Sequence, residues 1–110
     1  VVAAAPRGVQ GLVLRAAARS AAGDTAGAEE DLSAALRECP SNVAVLIARG
    51  RLRLDGGDHR GAQADLIAAL EARPGDPEVL VVLGEARSAG GDHHGALAAL
   101  DAAVAEWAAR

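Results

Sequence analysis

The sequence predicts an all-α protein, an α-solenoid of three antiparallel helix pairs, on three observations. The composition is 51% hydrophobic yet contains a single aromatic residue, Trp107, so the apolar weight rests on Ala, Leu and Val. Ala and Leu are strong helix formers, whereas strands draw on β-branched and aromatic residues. Second, Pro6, Pro40 and Pro74 recur every 34 residues, and a set of columns keeps that spacing without an insertion: Leu12/Leu46/Leu80, Ala16/Gly50/Gly84, Ala28/Ala62/Ala96, Leu32/Leu66/Leu100 and Ala35/Ala69/Ala103. Third, a Gly-Asp pair divides each interval, at Gly23-Asp24, Gly57-Asp58 and Gly91-Asp92. Gly supplies the left-handed stop of one helix, and Asp supplies the oxygen that caps the next.

The frame divides the chain into units 9–42, 43–76 and 77–110, preceded by the tail of an earlier unit at 1–8. Each unit is expected to hold two helices. Asp76-Pro77-Glu78 combines a capping Asp, a first-turn Pro and an early acid, which marks a helix start. Ser41 is expected to cap the corresponding helix one unit earlier. The small column Ala16/Gly50/Gly84 faces Ala28/Ala62/Ala96 and lets the two helices of a unit approach closely, with the Leu columns filling the space beside them. Gly27, Gly61 and Gly95 recur inside the second helices, and close helix contact is the expected reason.

At 110 residues the chain has room for one core. A net charge of −4 argues against a nucleic-acid partner, which needs clustered Lys or Arg. Cys39 is the single cysteine, so no internal disulfide is available and an intracellular, cytoplasmic setting is the default expectation. The apolar start, Val1 to Ala5, is too short to span a membrane, and no membrane association is expected. Val1 and Val2 fall on the columns of Ala35-Leu36 and Ala69-Leu70, which suggests that the chain was cut from a longer one.

A period of 34 residues with two helices per unit resembles the tetratricopeptide repeat. The residues that carry the resemblance are the Leu80…Leu83-Gly84 run, the Gly-Asp turns, the Ala28-x-x-x-Leu32 spacing in all three units, and the closing Pro40 and Pro74. Two columns depart from the family pattern. Arg19, Arg53 and Arg87 stand where an aromatic is usual, and Arg15 and Arg49 where a bulky apolar residue is usual. The resemblance implies a right-handed superhelix whose first helices line a concave groove, and a non-enzymatic scaffold that binds a peptide or protein segment there. Carried over by register, the groove column is Val13, Ile47 and Val81, beside Ala17, Arg51 and Glu85, with Gln10, Ala44 and Glu78 at one edge and Leu54 and Asp55 farther along, an apolar floor with charge of both signs; Val13, Ile47, Arg51, Leu54, Val81 and Glu85 are the expected contacts. The alternative is a structural spacer or self-association module, a homodimer through an uncapped repeat end, with Leu97, Val104 and Trp107 as the contact residues. The family's carboxylate-gripping clamp is not expected, because Val13, Ala17, Ala48, Glu78 and Val82 stand at its positions and Glu78 would repel a carboxylate.

The remaining polar columns have plainer readings. Arg15 with Asp31, and Arg49 with Asp65, occupy matching places on the two helices of a unit, and in the third unit both change together to Leu83 and Ala99. An inter-helix ion pair in the first two units and an apolar contact in the third is the expectation. The stems of Arg19, Arg53 and Arg87 are expected to pack, with their guanidinium groups reaching acids on adjoining helices. His59, His93 and His94 recur beside Asp residues, but columns about 10 Å apart cannot share one ion whose bonds are near 2 Å, so no metal is expected. No cofactor is expected, and no Ser or Cys has a predictable His and acid beside it to make a catalytic residue.

Overall fold

The computed structural model describes residues 7–109, so the reading of Val1 and Val2 as the end of an earlier helix lies outside the described residues. Six helices follow one another: α1 (Arg7–Ala21), α2 (Thr25–Glu38), α3 (Val43–Asp55), α4 (His59–Ala72), α5 (Pro77–Ala89) and α6 (His93–Ala108). Among the described residues there is no strand. The helices pair as α1 with α2, α3 with α4 and α5 with α6; α2 then packs on α3, α4 on α5, and α3 reaches α5. The molecule measures 37 × 35 × 18 Å. Because a helix with its side chains is about 10 Å across, the short dimension accommodates two helix layers. This is an all-α solenoid of three antiparallel pairs.

The turns work as their residues dictate. Gly23, Gly57 and Gly91 take φ of 88°, 86° and 91°, a region that L side chains rarely enter. Asp24, Asp58 and Asp92 follow, and each carboxylate accepts the backbone N–H three residues on, from Gly27, Gly61 and Gly95, at 2.8–2.9 Å. That geometry corrects the reading of those three glycines. A Cβ at Gly27 would lie 2.8 Å from Asp24 Cγ, and one at Gly61 or Gly95 2.7 Å from the corresponding Asp carbon. The group nearest each of these glycines is the capping carboxylate of its own turn, not a neighbouring helix. Ser41 is corrected as well, since α3 begins at Val43 and Asn42 is its cap, with Oδ1 accepting from the Val45 N–H at 3.3 Å. Asn42 and Asp76 share a column, and Asp76 caps α5 ahead of Pro77.

Within each pair the small column brings the helices together. A Cβ at Gly50 would stand 3.3 Å from the Leu66 side chain and 3.6 Å from the Ala62 carbonyl; at Gly84 it would stand 2.9 Å from Leu100 Cγ and 3.3 Å from the Ala96 carbonyl. Ala16, Ala28, Ala62 and Ala96 are buried alongside. Ala35, Ala69 and Ala103 close the far end of the same contact, each at 0% exposure.

Two ion-pair clamps cross the first two pairs. Asp31 and Asp65 are each only 3% exposed. Arg15 grips Asp31 with both Nε (3.0 Å) and Nη2 (2.8 Å), and Arg49 grips Asp65 in the same fork at 3.0 and 2.7 Å. One helical turn later Arg19 Nη1 reaches Asp31 at 3.0 Å, and Arg53 Nη1 reaches Asp65 at 3.2 Å. In the third pair Leu83 and Ala99 are both buried in place of the fork, and Arg87 Nη1 donates to the Gly95 carbonyl at 3.3 Å instead. The expected ion pairs and their joint replacement are therefore present, and the Arg19/Arg53/Arg87 column is structural. The hydrogen bond from Arg15 holds the Asp31 carboxyl below the usual aspartate range, against the opposing effect of its burial. The same bond raises Arg15. Burial opposes the charge of Arg53, yet its hydrogen bond to Glu29 and the charges of Asp65, Glu29 and Asp58 raise it.

Removing one partner of a buried pair strands the other, so Asp65→Ala should cost about 3–5 kcal/mol in chemical denaturation. Asp65→Ala combined with Arg49→Leu, which copies the third pair, should recover most of that loss. Equal stability of Asp65→Ala and the natural protein would contradict the clamp. For Asp31, a depressed carboxyl contributes stability that is complete above the unfolded-state value of about 3.9 and is lost as pH falls below it. Asp31→Asn should therefore flatten the stability–pH profile below about pH 4 in thermal melts, while the natural protein declines there.

Candidate partner-binding groove

The first helices of the pairs present their free faces beside one another, and a concavity lies between α1 and α3. On α1 the wall is Val13, Ala17 and Ser20, and on α3 it is Ala48, Arg51 and Asp55. Spacings of four and three on one helix, and three and four on the other, put each triplet on a single helical face. Leu32 of α2 reaches the floor, and the cleft holds about 210 Å³. Its breadth follows from Ala17 and Ala48, whose short side chains leave the space between the helices unfilled. Arg51 and Asp55 set a cation and a carboxylate at one side of an otherwise apolar hollow, and neither takes part in the clamps behind it.

The residues expected from the sequence divide over the structure. Val13 and Arg51 line the α1/α3 cleft, Val13 half-buried and Arg51 exposed. Ile47 is buried and borders a second hollow of about 240 Å³ between α3 and α5, with Ala44, Glu78 and Arg73. Leu54 is half-buried against the core, Val81 is half-buried and Glu85 is exposed, and none of the three lines either hollow. Leu97, Val104 and Trp107 sit well apart from the groove, exposed along one face of α6.

Several participants carry no clear mark in the sequence. Ala48 reads as a helix filler and Ser20 as a helix end. Leu32 reads as a core residue, and it is one, yet it also lines the floor of the cleft. Of two contacts between consecutive pairs, Arg49 Nη1 donating to Ser33 Oγ at 3.2 Å is equally silent, whereas Arg53 Nε donating to Glu29 at 2.9 Å meets the expectation that this Arg column reaches acids on adjoining helices, with the particular acid unmarked. Glu29 becomes Gln63 and Leu97 in the later units, so its column has no repeating chemistry to notice.

A family model described as Tetratricopeptide repeat matches residues 47–110, more than half of the chain. Among solved structures the chain is similar to the globular C-terminal domain of P. aeruginosa LpoP, at 27% sequence identity and a TM-score of 0.80, over 86% of this chain and 93% of that one. No curated protein sequence matches it. No helix among the described residues is long and apolar enough to cross a membrane. Tetratricopeptide repeats generally mediate protein–protein interaction and serve as non-catalytic scaffolds. With a matching family model, three helix pairs and a Gly-Asp turn inside each, this chain belongs to the tetratricopeptide repeat family.

Proposed function

We propose that this protein is a non-enzymatic scaffold, built of repeat units 9–42, 43–76 and 77–110, that captures a peptide segment of a protein partner in the groove between its first helices. The observation that carries the reading is the α1/α3 cleft: an apolar hollow of about 210 Å³ whose rim holds Arg51 and Asp55. That volume suits one aliphatic side chain, and the paired charges select for a peptide with an acidic and a basic residue flanking the anchor. Val13 and Arg51 are the central contacts, with Ala17, Ala48 and Asp55 beside them. Val81 and Glu85 extend the surface onto α5, while Ile47 is taken up by the seam with α5 and Leu54 by the core.

A displayed library of random peptides tests this with a defined probe. Selection on the 110-residue chain should enrich sequences with an aliphatic anchor and charges of both signs. A labelled enriched peptide should lose at least tenfold in affinity, by fluorescence anisotropy, on Arg51→Glu or Ala48→Gln, with helicity retained by circular dichroism. The absence of any enriched sequence, or unchanged binding by both variants, would overturn the groove assignment.

A further inference from the structure

The two walls of the α1/α3 cleft belong to different helix pairs, and the short side chains of Ala17 and Ala48 leave them unjoined across it. What fixes their separation is the contact behind them, where α2 of the first pair packs on α3 of the second. Two side-chain hydrogen bonds cross that seam: Arg49 Nη1 donates to Ser33 Oγ at 3.2 Å, and Arg53 Nε donates to Glu29 at 2.9 Å. The donors are four residues apart on α3 and the acceptors four apart on α2, so the bonds form two rungs one helical turn apart. Neither donor is free to swing. Arg49 is held on Asp65 by Nε and Nη2, at 3.0 and 2.7 Å, and Arg53 by Nη1 at 3.2 Å. A guanidinium is planar, and its N–H groups point in fixed directions. Anchoring both groups to one buried carboxylate of α4 therefore fixes where the N–H turned to α2 points, and α2 must come to that place.

The next seam is built differently. There Leu83 and Ile67 stand in the columns of Arg49 and Ser33, and Arg87 and Gln63 in those of Arg53 and Glu29. Arg87 Nη1 turns instead to the Gly95 carbonyl inside its own pair. Val82, in the column of Ala48, is fully buried, and α3 packs directly against α5. Among the described residues, none of α4 lines the hollow between those two helices, whereas the α1/α3 cleft reaches Ala28 and Leu32 of α2. An apolar cleft with unjoined walls is closed by collapse unless something rigid opposes it. We propose that Glu29 and Ser33 are positioning residues for the partner site: through Arg53 and Arg49 they hold the first pair at the distance from the second that keeps the α1/α3 cleft open. That role rests on the groove reading, whereas the spacing itself does not. Asp65 then acts twice, closing its own pair and aiming two arginines at the pair before it. A binding site keeps its shape only as well as the residues behind it are fixed.

Spin-label distances in the full 110-residue chain test the proposal, on a Cys39→Ala background that leaves the labelled cysteines as the only thiols. Ala22→Cys with Gly56→Cys spans the first seam, and Gly56→Cys with Gly90→Cys spans the second, all at exposed positions just past α1, α3 and α5. Glu29→Ala with Ser33→Ala removes both acceptors and leaves the Asp65 clamp whole. It should shorten the first distance, leave the second unchanged and, with helicity retained by circular dichroism, weaken binding of the enriched groove peptide at least fivefold. Glu29→Gln with Ser33→Thr keeps an acceptor oxygen at both places and should match the natural chain in distance and in affinity. A first distance that does not shorten in the double-Ala variant, an equal shortening in the Gln/Thr variant, or a shortened distance with unchanged peptide affinity would each overturn it. The labels need no peptide, so a chain that enriches none counts against the groove reading while the distances still decide the spacing.

Discussion

The close approach of two helices at a column of small residues is the contact on which the rest of this structure depends. Gly50 and Gly84 leave no room for a Cβ without displacing Leu66 or Leu100, and Ala16 fills the equivalent place in the first pair. The Gly-Asp turns return the chain at the right point for that contact, and the buried Ala columns extend it along the pair. Once the pair is closed, its second helix offers a Leu face to the next pair. The array then grows by repetition of a single step.

Charge is layered on this apolar frame and differs from pair to pair. The Arg forks on Asp31 and Asp65 hold the first two pairs, while Leu83 and Ala99 hold the third without any ion. A buried ion pair seldom stabilises more than an apolar contact of the same size, so the alternation is consistent with equal closure by two chemistries. Drawing Arg15, Arg19, Arg49 and Arg53 onto buried carboxylates also leaves Arg51 as the cation that faces the α1/α3 cleft. The groove therefore owes its mixed charge to which arginines the fold has already engaged.

Most of the architecture was legible because it repeats. Columns 34 residues apart locate the turns, the caps and the ion pairs, and where a reading failed the column itself held the remedy: Asn42 aligns with Asp76 and is the cap that Ser41 is not. The glycines at 27, 61 and 95 were visible as a pattern, but their surroundings were hidden, because only the structure shows that the nearest group to each is the capping Asp carboxylate and not another helix. The site was less legible. A groove is made by what its walls lack: register carries Ala17 into it, but Ala48 looks like an ordinary helix residue in a chain so rich in Ala. Ile47 projects from the expected helix but is buried beside a hollow whose other wall includes Glu78 of α5.

The most direct test of the small-column contact compares two glycines in first helices. Gly50 meets Leu66, whereas a Cβ at Gly11 would meet nothing within 4 Å. Replacing an exposed helical Gly by Gln should stabilise a helix by up to about 1 kcal/mol, so propensity acts in the same direction at both sites. In equilibrium denaturation, Gly11→Gln should unfold at or above the midpoint of the natural protein, and Gly50→Gln should lose about 1–3 kcal/mol or more through overpacking. Stability gained at both positions would contradict the account that the pairs are closed by that contact.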